Sequence, residues 1–319
     1  MFTIENVAKV LTEKDNIVIL CHRSPDGDTI GAAFALYDAL LCIGKTVRIE
    51  CADEFGSRFS HITNGVTFPD FVPEYVVAVD VPDINLLGTK KEEYPEVDMC
   101  IDHHGTHVPF AKYTYVESTA ASACEIMYEV CCALNGDVNS TQAVALYTGV
   151  ATDTGCFRFS NTTVRTHIIA GKLLGKNIDY MQIHQNVFAN SKTCALLEAK
   201  VVNEARFFYD DKVAIQFVND EIKDSVGACD DDVCALASTL QNINCVLLGI
   251  TLRQTGENTF RLSVRSKKPV SAADFCRKFG GGGHTEAAGC TIEGDFADVY
   301  QNLIIEAENI LKDNNLLEV

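Results

Sequence analysis

Basic residues are scarce in this sequence. Against 44 aspartates and glutamates stand only 26 lysines and arginines in 319 residues, a formal charge of −18 at pH 7. A field of that sign repels a polyanion, so the chain is not expected to grip long duplex nucleic acid by its phosphates. A nuclease remains compatible with it, because carboxylates that hold divalent cations inflate the formal count and bound ions reverse the sign locally. Long apolar runs are missing as well. Stretches such as 17–21 fall far short of the roughly 20 residues a membrane-spanning helix needs, and no membrane partner is expected. The start, Met1-Phe2-Thr3-Ile4-Glu5-Asn6, has no basic region followed by an apolar core, which speaks against a secretory signal. No low-complexity tract of the kind that stays disordered is present. The fourteen cysteines include no C-x-x-C pair. Cys21, Cys100 and Cys245 lie in apolar, strand-like runs and Cys131-Cys132 on a helix, so they read as reduced core thiols of a cytoplasmic protein.

The length predicts two domains, each able to bury its own core. Helical periodicity over 4–14 precedes a β-branched strand over 16–21. The segment His22-Arg23-Ser24-Pro25-Asp26-Gly27-Asp28 makes a tight turn, and an apolar helix over 30–43 closes at Gly44. Further strands are expected at 46–51, 74–81 and 97–101, and another at 113–116. Helices follow at 120–134 and 140–151. Alternating strands and helices imply an α/β fold with a doubly wound parallel sheet. The polar helix over 186–208 reads as a linker between a first domain, 1–185, and a smaller α/β domain, 209–319. That second domain offers strands at 212–218, 245–253 and 259–265, with helices near 233–240, 272–279 and 296–311.

Ionisable residues gather where these strands end. His22, Asp26 and Asp28 follow the first strand, Asp80 the third and Asp102-His103-His104 the fourth, while Asp153 stands among small residues after the helix over 140–151. Side chains that do chemistry in open α/β sheets project from the carboxyl ends of the strands. Taken singly, these residues have ordinary uses: Asp28 as a helix cap, Asp26 in a turn, paired histidines in a solvated loop. Asp83 lies beyond Pro82 and reaches solvent, and His107 has no strand to fix it and reads as loop. Four aspartates and two histidines together form a hard, oxygen-rich ligand set suited to Mn²⁺ or Mg²⁺. Six ligands are too many for one ion that keeps open positions. Two ions sharing a carboxylate, roughly 3.5–4 Å apart as in two-metal phosphoester hydrolysis, fit better.

In the second domain, Gly280-Gly281-Gly282-Gly283-His284 has neither a Walker A ending nor dinucleotide-fingerprint spacing, yet four glycines expose backbone N–H groups to a phosphate. Around it, Arg253, Arg261, Arg265, Lys267, Lys268, Arg277 and Lys278 make a basic island that suits a phosphorylated substrate, with a solvated helix face as the plainer reading of Arg277 and Lys278.

His22-x-x-x-Asp26-x-Asp28, Asp80, Asp102-His103-His104 and Asp153 resemble the successive motifs of the DHH phosphoesterases, and the stretch 280–289 resembles the glycine-rich signature of their DHHA1 domain. The length is similar to that of the nanoRNase/pAp phosphatase group, which degrades very short oligonucleotides and removes the 3′-phosphate of 3′-phosphoadenosine 5′-phosphate (pAp). The resemblance implies that His22, Asp26 and Asp80 hold one Mn²⁺ and that Asp28, Asp80, His103 and Asp153 hold a second, with Mg²⁺ as a substitute. Asp102 then orients the histidines, and His104 contacts the scissile phosphate or protonates the leaving oxygen. Arg158, Arg265, Gly282, Gly283 and His284 bind the substrate's other phosphate and base. Ala32 stands where many family members carry serine, a departure that leaves the ligand set intact.

The expected partners are short oligonucleotides or mononucleotide bisphosphates, with room for a homodimer. Hydrolysis of a cyclic dinucleotide or its linear product needs the same metal chemistry, and a nucleotide sensor on an inactive scaffold is the non-catalytic alternative. A RecJ-like processive exonuclease is disfavoured by the acidic charge and the lack of room for further domains, and a family II pyrophosphatase by the glycine-rich second domain.

Overall fold

The computed structural model describes residues 2–317 and divides into two compact units, Met1–Ala189 and Asn190–Val319. The first holds strands β1 (Ile17–Leu20), β2 (Val47–Glu50), β3 (Tyr75–Val79), β4 (Val97–Asp102) and β5 (Ala111–Val116). They form one parallel sheet in the order β2-β1-β3-β4-β5. Numbering only helices of six residues or more, this unit carries α1 (Ile4–Glu13), α2 (Gly27–Cys42), α3 (Ala123–Asn135), α4 (Ser140–Asp153), α5 (Val164–Leu174) and α6 (Tyr180–Phe188).

Strands covered on both faces explain the unbroken apolar runs. Ile17, Ile19, Val77, Val79, Met99 and Ile101 pack with the helical layer that contains Ile30, Ile126 and Leu146. The alternate residues Val18, Leu20, Val76, Ala78 and Cys100 pack instead with Leu87 and Tyr94. In this strand order the chain leaves β1 for β2 on one side and returns to β3 on the other. The sheet's switch point, where α/β folds open a crevice beyond the carboxyl ends, therefore lies between β1 and β3.

Small residues bring α2 and α4 together at that edge. A Cβ on Gly149 would overlap Cys124 Sγ and stand 2.9 Å from Asp28 Oδ1. Gly149→Ala is expected to cost about 1–3 kcal/mol of stability by overpacking. Denaturant unfolding of the variant checks this, and wild-type stability would show that the two helices can part without cost.

The second unit contains β6 (Arg206–Phe208), β7 (Val213–Val218), β8 (Leu248–Gly256), β9 (Thr259–Ser266), β10 (Gly282–Gly283) and β11 (Ala287–Glu293), in the sheet order β10-β11-β9-β8-β7-β6. Only the β7–β8 pair is parallel. Its helices are α7 (Lys192–Glu204), α8 (Asp230–Ala235), α9 (Ala272–Arg277) and α10 (Phe296–Asp313). The stretch 186–208 is not one continuous helix. Ser191 caps a new one by accepting from the Cys194 N–H, and Leu197 and Val201 of α7 pack with Val218, Val233 and Leu236, so this helix belongs to the second unit's own packing. The cysteines also divide: Cys21, Cys100 and Cys131 are buried, but Cys245 is exposed because β8 begins three residues later than expected, at Leu248.

Candidate metal centre and active site

The turn after β1 sets out three side chains. Asp26, not Asp28, caps α2, its Oδ1 accepting from the N–H groups of Asp28 and Thr29. That frees Asp28 for a different use. Its carboxylate lies buried against the start of α3 and accepts from Ala123 N at 2.6 Å and Cys124 N at 2.9 Å, where a helix N-terminus favours negative charge. Asp80 follows β3 with φ +58°, a left-handed conformation seldom adopted outside glycine and asparagine, and its N–H donates to Ile101 O at 2.8 Å. Such local strain persists where the surrounding structure fixes a functional side chain. Asp153 is the last residue of α4, one turn beyond Gly149, so the helix that Gly149 lets approach α2 also delivers a fourth carboxylate.

The two histidines face these acids with a defined nitrogen. His22 Nδ1 lies 2.8 Å from Arg23 O and His103 Nδ1 3.3 Å from Ala120 O. A carbonyl only accepts, so Nδ1 carries the proton in both rings and Nε2 presents a lone pair in the neutral state. His22 Nε2 stands 3.6 Å from Asp26 Oδ1 and 3.7 Å from Asp80 Oδ2. His103 Nε2 stands 3.5 Å from Asp80 Oδ1, 3.6 Å from Asp153 Oδ2 and 3.7 Å from Asp28 Oδ2. These separations are long for hydrogen bonds. They match two donors on one cation, which at bond lengths of about 2.1 Å lie roughly 3 Å apart at right angles and about 4.2 Å apart across the ion.

The electrostatics show the same unmet demand for positive charge. Burial, and then the charge of Asp28, pushes Asp80 up to about 7, and burial likewise raises Asp28 and Asp153. Burial opposes an imidazolium at His22, yet Asp26 and Asp80 outweigh it and raise the ring to about 11. Asp80 Oδ1 is buried without a hydrogen-bond partner among the described residues. Acceptors crowded in this way require protons or cations between them. The donors group as His22, Asp26 and Asp80; as Asp28, His103 and Asp153; and as Asp80, His103 and His104. The residues present therefore fit divalent metal, with Asp80 common to two of the three groups.

Asp102, fully buried, underlies the histidines. Its Oδ1 lies 2.8 Å from His104 Nδ1 and accepts from the His103 N–H, also at 2.8 Å. Burial would raise the Asp102 pKa, but hydrogen bonding to His104 outweighs it, so the group stays ionised. His104 Nδ1 is directed at Asp102, so Nε2 is the nitrogen turned away from that carboxylate. Burial opposes charge on His104 too, but Asp102 and Asp80 raise its pKa. His107 is not a free loop residue: its Nδ1 reaches Asp102 Oδ2 at 2.6 Å and its side chain is buried. The signal for it lay only in its spacing from Asp102, since no periodicity marks a turn that folds back.

The other expected residues are distributed differently. Arg158 lies on the exposed turn after α4, its Nε donating to Gly155 O at 2.9 Å. Gly282, Gly283 and His284 belong to a hairpin rather than an open loop. Gly282 pairs with Gly289 and Gly283 with Ala288, while His284 N–H donates to Ala287 O at 2.8 Å. Gly283 has φ +145°, and a Cβ there would meet Ala287 O at 2.6 Å, so glycine is needed for this pairing. Three of the seven residues of the basic island are neutralised locally. Arg253 pairs with Asp230, Arg277 with Asp274 and Lys278 with Glu306, while Lys267 donates to Ile243 O. Arg265 differs. Its Nη1 donates to Val264 O, burial depresses its pKa, and it makes no ion pair with the described residues.

A parallel sheet that delivers an acid-and-imidazole cluster at its switch point, followed by a second mixed-sheet unit with a glycine hairpin, defines a class of two-domain phosphoester hydrolases. The chain belongs to the DHH phosphoesterases: residues 16–150 match the DHH family N-terminal domain and residues 210–313 the DHHA1 domain. It is 27% identical to the bifunctional oligoribonuclease and PAP phosphatase NrnA of Thermus thermophilus, over 94% of this chain and 92% of that protein. The fold is shared with an exopolyphosphatase-related protein from Bacteroides fragilis, at a TM-score of 0.86 and 22% identity over 97% of this chain and 96% of the other. RecJ of Thermus thermophilus in complex with Mn²⁺ is a more distant neighbour, at a TM-score of 0.57 and 14% identity over 96% of this chain and 54% of the other. Among the described residues no helix is long and apolar enough to cross a membrane.

Proposed function

We propose that this chain hydrolyses very short oligonucleotides and the 3′-phosphate of pAp, using two Mn²⁺ ions, Mg²⁺ being the substitute. The observation that carries the reading is the position of Asp80 between the two imidazoles, its Oδ2 3.7 Å from His22 Nε2 and its Oδ1 3.5 Å from His103 Nε2. His22, Asp26 and Asp80 would hold one ion, and Asp28, Asp80, His103 and Asp153 the other. When bound, the pair supplies a water activated for in-line attack and neutralises charge on the phosphoryl oxygens. His104, held through Nδ1 by Asp102, protonates the departing oxygen from Nε2. The name borne by the Thermus relative supports the choice of substrates, and the Mn²⁺ in its RecJ neighbour supports the choice of ion.

The division of labour in this proposal is a catalytic part, 1–185, and a substrate-binding part, 209–319. Arg265, the half-buried cation without a carboxylate partner, takes a substrate phosphate, with backbone N–H groups at Gly282 and Gly283 and the His284 side chain beside the base. Arg158 supplies a further cation. Arg265→Ala is expected to raise KM about tenfold or more while changing kcat little, in steady-state kinetics, because it removes a charge-assisted contact made before the chemical step. A large fall in kcat at constant KM would contradict this role. Fourteen cysteines, none of them in a disulfide among the described residues, suit a reducing compartment, and we place the protein in the cytoplasm.

The deciding experiment compares a diribonucleotide, pAp, cyclic di-AMP and a longer single strand, each with Mn²⁺ and with chelator. Metal-dependent preference for the first two supports the proposal. Preference for cyclic di-AMP moves the substrate assignment, and no turnover of any of them leaves a sensor.

A further inference from the structure

Among the described residues the Asp102 carboxylate is held by His103, His104 and His107, and of these only His107 has no other part in the site. Oδ1 of Asp102 serves His104 Nδ1 and accepts from the N–H groups of His103 and His104, which tie the carboxylate to the two histidines facing the site. Oδ2 has His107 Nδ1 at 2.6 Å. Since an ionised carboxylate only accepts, His107 must hold its proton on Nδ1. Its other nitrogen, Nε2, is buried with no hydrogen-bond partner among the described residues.

The segment that carries His107 is anchored at both ends of a short return. His107 N–H donates to His104 O at 3.1 Å, closing the turn 104–107, and Val108 N–H donates to Pro82 O at 2.8 Å, tying the chain to the segment after Asp80. The ring also lies beside Phe110, with centroids 5.8 Å apart. A buried carboxylate with one oxygen unsatisfied would carry a desolvation cost and could turn about its terminal bond, which is a soft, two-fold torsion. The His107 donor removes that freedom, and with it the freedom of the His104 ring that hangs from the opposite oxygen.

We propose that His107 is a positioning residue for hydrolysis: it clamps Asp102 Oδ2 so that Oδ1 holds His104 with Nε2 directed at the leaving oxygen. The proposal rests on the role given to His104 above. His107 touches neither the metal donors nor the substrate in this account and acts only through Asp102. Its effect should therefore fall on kcat and not on substrate affinity or metal stoichiometry.

The test uses the full chain with two substitutions. His107→Leu removes the donor but keeps an apolar side chain beside Phe110, and His107→Asn keeps a donor near the position of Nδ1. The Leu variant is expected to lose about ten- to a hundredfold in kcat, with KM and the number of bound Mn²⁺ ions unchanged. The Asn variant should restore most of that loss. A purely structural role would give equal kcat for both folded variants, or would raise KM alongside, and either result overturns the assignment. The same link is read without substrate or metal by histidine ¹⁵N NMR. The His104 Nδ1 proton should be protected from exchange in the wild type and in His107→Asn, and should exchange readily in His107→Leu. Protection that survives in the Leu variant overturns the proposal even if turnover cannot be measured. Loss of protection there, with a wild type inactive on every phosphoester tried, counts against the functional reading while leaving the clamp standing.

Discussion

Asp80→Asn is expected to abolish turnover, lowering kcat by at least about a thousandfold, while the protein stays folded and its metal-free form becomes more stable. Asparagine is the informative replacement because Asp80 has φ +58°, a conformation that asparagine tolerates better than alanine, so the backbone at the tip of β3 is kept and only the charge is lost. The gain in stability follows from the direction of the Asp80 shift. With a folded-state pKa of about 7 against an ordinary 3.8, the folded chain holds a proton that the unfolded chain has released, and it does so between about pH 4 and pH 7. The stability of the metal-free protein therefore falls as pH rises through that window and stays lower above it. Removing the charge relieves the penalty, so the variant should melt higher than the wild type at pH 8 and about equally at pH 4 when both are stripped of metal. Added Mn²⁺ should reverse the order, since only the wild type keeps a shared ligand. Thermal melts at the two pH values, with and without Mn²⁺, check all of this. An Asp80 variant with full Mn²⁺-dependent activity would sink the two-metal reading.

The parts of the site that were readable in the sequence share a physical cause. A parallel strand buried on both faces is written as an unbroken apolar run, so the first ionisable residue after it marks the sheet's carboxyl edge. His22 and Asp80 are found in this way, after β1 and β3, and Asp102-His103-His104 at the end of β4, where Asp98 near the strand's start is the one break in the apolar run. Asp153 was visible for a different reason, as a lone acid among the small residues that allow α4 to lie against α2. What was not readable depends on contacts between segments distant in sequence. Asp28 looks like a helix cap until α3 is seen to place the N–H groups of Ala123 and Cys124 on its carboxylate, leaving the cap to Asp26. His107 becomes important only because the turn after His104 returns it to Asp102. In the second unit the glycine run resembles an open loop because glycine carries no strand signal. Its pairing as β10 with β11 comes from the neighbouring strand, which meets β9 residue by residue from Ala287 to Glu293. The basic island was overcounted for a similar reason, its acids Asp230 and Glu306 being remote in sequence from Arg253 and Lys278.

His104→Ala separates proton delivery from metal binding. The His104 ring lies against His103, with centroids 4.5 Å apart, and its Nδ1 is 3.5 Å from Asp80 Oδ1, so proximity alone would allow it to be a metal donor. The shorter contact decides between the two uses. At 2.8 Å from the ionised Asp102, Nδ1 is a hydrogen-bond donor and has no lone pair to give a cation. The substitution should therefore leave the number of bound Mn²⁺ ions unchanged while lowering kcat about a hundred- to ten-thousandfold on a dinucleotide, the usual range for loss of general acid catalysis. The loss should also depend on the leaving group. A ribose hydroxyl departs as a strongly basic alkoxide unless a proton reaches it, whereas a nitrophenolate leaves without help. A nitrophenyl ester of a nucleotide should thus be hydrolysed by the variant at close to the wild-type rate. Equal losses on both substrates would mean that His104 stabilises the phosphoryl group itself and delivers no proton. Loss of one Mn²⁺ would instead make it a ligand, and the acid would then have to be sought elsewhere in the first unit.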